Sequence, residues 1–159
     1  MADEVTNVVF AGLGGQGVLK ASDVLASVVF DAGLDLKKSE VHGMSQRGGS
    51  VTSDVRYGRE VLSPMVPDGE ADYLVVLDAG QVDNNRHYLR SDGVLLTPDM
   101  IDVASLANSK SLNVALLGLL SNHLPFDAEQ WYQAIEANLP AKLHAVNREA
   151  FALGRSSDS

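Results

Sequence analysis

The chain has 159 residues, a length that fits one domain and would make two cramped. Its 21 acidic and 12 basic residues give a formal net charge of −9, so it is a poor candidate for non-specific nucleic-acid binding, which depends on lysine and arginine. It has no cysteine, which excludes disulfides, a cysteine nucleophile, a thiolate zinc site and a thiolate-held iron–sulfur cluster within this chain. Any thiolate-bound redox metal in its function must lie on another polypeptide.

No segment has the pattern of a membrane span or a secretory signal. The longest apolar stretches are interrupted by Lys20, Asp23 and Asp31, or are far shorter than ~20 residues. The N-terminal residues 1–4 have neither a basic n-region nor an apolar h-region. We therefore expect a soluble cytoplasmic protein, with one domain over residues 1–154 and a disordered tail over residues 155–159.

The first half of the chain predicts the opening of a βαβ unit. Residues 5–11 are apolar and β-branched, which is typical of a buried strand, and polar residues spaced by three and four predict a helix over residues 18–32. Residues 34–50 have no regular pattern and are predicted to be irregular. Residues 51–57 alternate and predict a strand with one solvated face, followed by a tight turn at 58–59 and a short return strand at 60–62.

The second half predicts alternating strands and helices and then a helical end. Residues 73–77 and 93–97 are predicted strands, residues 81–89 a polar helix, and residues 113–120 a buried helix. Asp127 and Gln130 resemble a capping box, and a last helix is expected from Pro140 to Gly154. This order predicts a three-layer, Rossmann-like α/β domain with a largely parallel central sheet and a helical C-terminal region.

The first candidate site is the loop between the first strand and the first helix. Its sequence satisfies G-x-G-x-x-G and carries an extra glycine, through Gly12, Gly14, Gly15, Gln16 and Gly17. Such a loop lets a diphosphate approach the N–H groups of the next helix, although the same glycines could also form only a tight, unoccupied turn. It is not a Walker A loop, because Val18 stands where that motif has lysine. It is also a poor NAD fingerprint, since Glu40 is the only candidate for the ribose-binding acid and comes late.

The second candidate site is the polar, glycine-rich segment at residues 39–50. An arginine beside two glycines suits phosphate or carboxylate binding, or a close protein contact, and the alternative is a flexible surface loop. The candidate residues of this segment are His42, Ser45, Gln46, Arg47, Gly48 and Gly49.

The remaining polar residues give weaker indications. Asp78 ends the strongest predicted strand, where it could line a ligand site or cap the following helix. The four histidines have no metal-ligand spacing, and no nucleophile–base–acid set is suggested. We therefore predict no catalytic residue and no metal ligand in this chain.

Two segments carry a resemblance to a known family, namely residues 9–17 (VFAGLGGQG) and residues 40–51 (EVHGMSQRGGSV), with support from residues 55–58, 63–64, 69–72, 113–118 and 147–154. The chain resembles the gamma subunit of 2-oxoacid:ferredoxin oxidoreductases, and in particular the small subunit of indolepyruvate ferredoxin oxidoreductase. The resemblance covers nearly the whole chain. The pairing of the GGQG loop with HGMSQRGGSV is its most specific feature.

The resemblance implies a share in the reaction of a 2-oxoacid, coenzyme A and oxidised ferredoxin to acyl-CoA, CO2 and reduced ferredoxin. It implies that thiamine diphosphate, Mg and iron–sulfur clusters lie on a larger catalytic subunit on which this domain packs, and that both loops contribute near coenzyme A. This chain departs from relatives at residues 77–80, where they more often have a glutamate-centred segment, which leaves the role of Asp78 open. Two alternatives remain: a free-standing NAD(P)- or nucleotide-binding Rossmann protein, and a regulatory binding module. We further expect the two loops to lie together at the carboxyl edge of the sheet.

Overall fold

A single five-stranded sheet organises the residues described by the structure, a computed structural model that covers residues 4–43 and 49–157. The strand order is β2-β3-β1-β4-β5. Because β3 pairs antiparallel with both β1 and β2, while β4 is parallel to β1 and to β5, four strands point one way and β3 points the other. The strands are β1 (Thr6–Leu13), β2 (Asp35–His42), β3 (Ser50–Gly58), β4 (Ala71–Val76) and β5 (Leu89–Leu96).

The described residues also form five α-helices, four of which pack on one face of the sheet. The helices are α1 (Val18–Asp31), α2 (Val82–Asn85), α3 (Leu112–Ser121), α4 (Ala128–Asn138) and α5 (His144–Arg155). The helix predicted over residues 81–89 is only the single turn α2, flanked by 3-10 turns at Ala79–Gln81 and Arg86–Tyr88. None of the described helices has the length and hydropathy to cross a bilayer.

The strands divide their side chains between two apolar clusters, as the alternation in β1 illustrates. Val8 and Phe10 are fully buried beneath α1, α3, α4 and α5, whereas Val9 and Ala11 are fully buried on the opposite face. On that opposite face Val66 and the short helical turns from Ala79 to Tyr88 complete the cover. The prediction of an α/β domain with a helical C-terminal region is confirmed.

Strand β2 lies where the sequence predicted irregular structure, so that prediction was wrong. It is an edge strand, and because it carries several charged residues it lacks the apolar pattern by which a strand is predicted from sequence. The Lys38 ammonium contacts Asp23 on α1 at 2.5 Å, and the Asp35 carboxylate accepts the N–H of Val61 at 2.8 Å. Charged side chains of this kind are a common protection against pairing with further strands.

The face of β3 predicted to be solvated is largely covered, and the predicted return strand at 60–62 is absent. Thr52 and Asp54 are buried, and the Asp54 carboxylate accepts the Val66 N–H from the segment at residues 61–66. Burial raises the pKa of the Asp54 carboxyl above its ordinary value, and the Val66 N–H that it accepts partly offsets this effect. Polar residues on this face satisfy the backbone of the covering segment instead of meeting water.

The C-terminal helices confirm one expectation and correct another. Asp127 and Gln130 form the predicted capping box, with bonds of 2.8 and 2.9 Å. Gly154 does not end the last helix but lies inside its last turn, where a Cβ would come within 1.7 Å of the Ala115 carbonyl oxygen on α3. Helix α5 therefore includes Arg155, the first residue of the predicted tail, whose guanidinium donates to the Ser121 hydroxyl at 2.9 Å.

Candidate functional site

The glycine loop at residues 14–17 connects β1 to α1 at the carboxyl edge of the sheet. Gly15 and Gly17 have φ angles of 89° and 85°, in the left-handed region where other residues are strained by roughly 1–2 kcal/mol. Gly17 caps α1, and a Cβ on it would lie 2.4 Å from Nδ2 of Asn113 on α3. These two glycines are thus required by backbone conformation, and Gly17 also by close packing.

Gln16 turns inward and ties the loop to the sheet. Its Oε1 accepts the N–H of Leu13 at 2.7 Å, and its Nε2 donates to Oδ1 of Asp78 at 2.9 Å. Gly12 lies directly beneath, where a Cβ would be 2.8 Å from the Gln16 oxygen. Gln16, predicted to contact a ligand, therefore supports the loop from behind.

Asp78 follows β4 and fills the role that the sequence left open. Its Oδ2 accepts the N–H of Gly80 at 3.1 Å, which caps the following 3-10 turn, while Oδ1 binds Gln16. Asn113 makes a similar link from α3, because its Nδ2 donates to the carbonyl of Gly17 at 3.3 Å. Sequence reasoning missed Asn113, although a polar residue at the start of an otherwise apolar helix is a usable signal.

The two candidate loops meet, as the sequence predicted for their placement. The N–H of Gly14 donates to the carbonyl of Gly49 at 2.9 Å, and the N–H of Gly43 donates to the carbonyl of Ser50 at 2.6 Å. His42, Gly43 and Gly49 therefore lie beside the glycine loop. Four predicted site residues lie outside the described residues, namely Ser45, Gln46, Arg47 and Gly48.

A cleft of about 260 Å³ opens between the glycine loop and the ends of β2 and β3. Among the described residues, Lys20 and His42 are the titratable ones that line it, and none of the described lining residues is acidic. The N-terminus of α1, with its partial positive charge, also faces the cleft. The sequence showed Lys20 only as a polar residue within the predicted first helix, so sequence reasoning missed it as a site residue. The cleft is lined by Leu13, Gly14, Gly15, Gly17, Val18, Leu19, Lys20, His42 and Val51.

This arrangement differs from a dinucleotide site in two respects. Strand β3 separates β1 from β2, which places the end of β2 about 10 Å from β1 at ordinary strand spacing. Glu40 is the only sequence candidate for a ribose-binding acid. It lies on β2 and contacts the Lys38 ammonium at 3.6 Å. The cleft can receive an anionic group, but the second strand does not supply a ribose-binding acid to it.

Acid–base and metal chemistry have little support among the described residues. Of residues 4–43 and 49–157, no three His, Asp or Glu side chains are grouped as metal ligands. The four histidines have different surroundings: His42 lines the cleft, Nε2 of His87 is 3.8 Å from Asp68, the ring of His123 is 5.7 Å from that of Tyr73, and Nε2 of His144 is 2.8 Å from the carbonyl of Leu139. The described groups that line the cleft, namely Lys20, His42 and the start of α1, suit the binding of an anion.

Comparison with known proteins places these features in one family. Residues 7–157 match the family model described as pyruvate ferredoxin/flavodoxin oxidoreductase. The indolepyruvate oxidoreductase subunit IorB of Thermococcus kodakarensis is 32% identical over 93% of each chain, and that of Pyrococcus horikoshii is 31% identical with the same coverage. The pyruvate synthase subunit PorC of Methanothermobacter marburgensis is 35% identical over 55% of this chain and 50% of its own.

Solved structures share the fold. The gamma subunit of a keto/oxoacid ferredoxin oxidoreductase from Geobacter sulfurreducens matches with a TM-score of 0.79 at 24% identity, over 94% of this chain and 95% of its own. The 2-oxoglutarate:ferredoxin oxidoreductase of Magnetococcus marinus, which has 2-oxoglutarate, coenzyme A and succinyl-CoA bound, matches with a TM-score of 0.83 at 17% identity. That match covers 97% of this chain and 31% of the larger one. The family resemblance drawn from the two loops is confirmed.

Proposed function

The chain belongs to the pyruvate ferredoxin/flavodoxin oxidoreductase family, and we propose that it is the gamma-type, non-catalytic subunit of a cytoplasmic 2-oxoacid:ferredoxin oxidoreductase. The assembled enzyme converts a 2-oxoacid, coenzyme A and oxidised ferredoxin to acyl-CoA, CO2 and reduced ferredoxin. Similarity to two indolepyruvate oxidoreductase subunits over 93% of the chain supports an aromatic, indolepyruvate-like substrate. The isolated chain has no turnover of its own.

The observation that carries the proposal is the meeting of the two glycine-rich segments around one cleft. The bond from Gly14 to Gly49 holds them together, and Lys20 and His42 supply positive or hydrogen-bonding groups, with no acid among the described lining residues. Such a cleft suits an anion that must be positioned. The part of its lining that the structure describes contains no paired acid and base for removing CO2 or handling a carbanion.

The redox and decarboxylating cofactors belong to a larger partner subunit in this proposal. When bound there, thiamine diphosphate with Mg supports decarboxylation and the iron–sulfur clusters carry the electrons to ferredoxin. The residues of this chain do not fit those clusters, because it contains no cysteine. They do fit a phosphate group of coenzyme A, through the N-terminus of α1 and the Lys20 ammonium.

The test is reconstitution of the complex with the larger subunit, followed by coenzyme A kinetics. We expect Lys20→Ala to raise the KM for coenzyme A at least fivefold with a smaller effect on kcat, because the ammonium binds but does not react. Lys142→Ala removes an exposed lysine outside the cleft lining and should leave both constants unchanged. An unchanged KM in Lys20→Ala would remove the cleft from the coenzyme A site.

The nucleotide-binding alternative makes a separate prediction. A free-standing nicotinamide protein should bind NADH or NADPH as an isolated chain. The position of β3 between β1 and β2 argues against this, because it moves the second strand away from the glycine loop. Calorimetric titration distinguishes the two functions, since micromolar binding of either nucleotide would favour the alternative.

A further inference from the structure

A second cavity, of about 140 Å³, lies between the start of α3 and the residues that connect α4 to α5. It shares no described lining residue with the glycine cleft. At about 15–30 Å³ for each water-sized group, it has room for roughly five to ten non-hydrogen atoms. Amide, hydroxyl and ammonium groups line one part of it, so it suits a small molecule with a polar and an apolar side. Its apolar lining consists of Val114, Leu139, Leu143 and Val146.

Asn147 lines this cavity and carries an unused hydrogen-bond acceptor. It is only 7% exposed, and its Nδ2 donates to the carbonyl of Leu143 at 2.9 Å. A carbonyl only accepts hydrogen bonds, so the amide nitrogen must face Leu143 and the amide oxygen must face elsewhere. That oxygen accepts no hydrogen bond from residues 4–43 or 49–157. A buried acceptor without a donor is unfavourable, so a ligand that donates a hydrogen bond to it is favoured.

Asn108 and Lys110 supply donors and a positive charge to the same lining. The Asn108 Oδ1 accepts the backbone N–H of Lys110 at 2.9 Å, which leaves the Asn108 Nδ2 to donate elsewhere. The Lys110 ammonium pairs with no carboxylate in the part of the chain that the structure describes. No acid is present among the described lining residues, so a ligand with one negative charge is favoured.

We propose that this cavity binds a short-chain aliphatic 2-hydroxycarboxylic acid. The ligand's carboxylate binds the Lys110 ammonium, its hydroxyl donates to the Asn147 Oδ1, and its alkyl group packs on the apolar lining. A 2-amino acid fits less well, because its ammonium adds a second positive charge beside Lys110 without an acid to balance it. A 2-oxoacid also fits less well, because its carbonyl oxygen is an acceptor and cannot donate to Asn147.

Asn113 connects this cavity to the glycine loop. It is buried, it lines the cavity, and its Nδ2 donates to the carbonyl of Gly17 at 3.3 Å. A ligand in the cavity is therefore one side chain away from the loop that forms the glycine cleft. The inference goes beyond the proposed function, because binding of the hydroxy acid needs only this chain and no partner subunit.

Titration of the full-length, ¹⁵N-labelled chain with 2-hydroxyisovalerate, followed by NMR, tests the proposal. For a ligand of this size we expect a Kd of about 1 mM, with the largest shifts at Ser111 and Asn147. The matched ligands 2-oxoisovalerate and valine should bind at least fivefold more weakly. Lys110→Ala should weaken binding of the hydroxy acid at least fivefold, whereas Lys37→Ala on β2, outside the lining, should not. Asn147→Leu should abolish the preference for the hydroxy acid over the oxoacid.

Several outcomes would overturn the proposal. If the folded chain does not bind 2-hydroxyisovalerate at 10 mM, the cavity is not a site for this ligand class. Equal affinity for the oxoacid, or tighter binding of valine, overturns the choice of ligand. Largest shifts in the glycine loop would place the ligand in the other cleft. If Asn147→Leu does not fold, Lys110→Ala and the three ligands still decide. All of these measurements use this chain alone, so their failure leaves the proposed oxidoreductase function unaffected.

Discussion

Replacing Gln16 by leucine removes the side chain that joins the glycine loop to the sheet. The Leu13 N–H loses its acceptor at 2.7 Å and the Asp78 carboxylate loses its donor at 2.9 Å. A neutral hydrogen bond contributes about 1 kcal/mol and one to a charged group about 2 kcal/mol, so we expect Gln16→Leu to destabilise the chain by about 3 kcal/mol. Gln133→Leu, on an exposed face of α4, should cost less than about 0.5 kcal/mol.

Urea unfolding followed by fluorescence of the single tryptophan, Trp131, measures this difference. A double-mutant cycle with Asp78→Ala isolates the bond between the two side chains, and we expect a coupling of about 1.5 kcal/mol. In the reconstituted enzyme, Gln16→Leu should raise the KM for coenzyme A more than it lowers kcat. The reasoning is refuted if Gln16→Leu is as stable as Gln133→Leu, or if the cycle is additive.

Three further predictions concern packing, capping and ionisation. Gly154→Ala should destabilise the chain by about 3 kcal/mol or more, because its Cβ would lie 1.7 Å from the Ala115 carbonyl oxygen, and Glu149→Ala on the same helix is the control for urea unfolding. Asp127→Ala should cost about 1 kcal/mol by removing the capping box, which the same measurement detects as a lower midpoint at constant m-value. Burial raises the pKa of Tyr57 from 10.0 to about 12, so the folded state binds the phenolic proton more tightly than the unfolded state and stability should fall from pH 10 to about 12. Tyr57→Phe should make that fall shallower by about 2–3 kcal/mol, and an identical pH profile would contradict the assignment.

The sequence predicts those elements well whose structure depends on residues close together in the chain. The β1–glycine loop–α1 unit follows from an apolar run, a glycine motif and a helical period, and the capping box follows from the spacing of Asp127 and Gln130. The last helix exists as predicted, but α5 begins at His144, because Pro140 is followed first by the 3-10 turn Ala141–Leu143. These features depend on neighbours a few residues apart, so the sequence contains the information directly.

The errors come from contacts between residues far apart in the chain. Strand β2 carries charges that find partners on α1 and in the segment at residues 61–66, so its pattern did not indicate a strand. The polar face of β3 was predicted to be solvated, because nothing local shows that the Val66 N–H reaches Asp54. The bond from Gln16 to Asp78, 62 residues later, could not be predicted from the local pattern either. Tertiary pairing decided each of these cases.

The most direct test of the central claim is ferredoxin reduction by the reconstituted enzyme, with indolepyruvate and coenzyme A as substrates. We expect no activity for this chain alone, and at least a tenfold rise in coenzyme A-dependent ferredoxin reduction when the chain is added to the larger thiamine diphosphate-binding subunit. The rise should saturate at a fixed ratio of the two chains. A rate that does not depend on the addition of this chain would contradict its assignment as a subunit of the oxidoreductase.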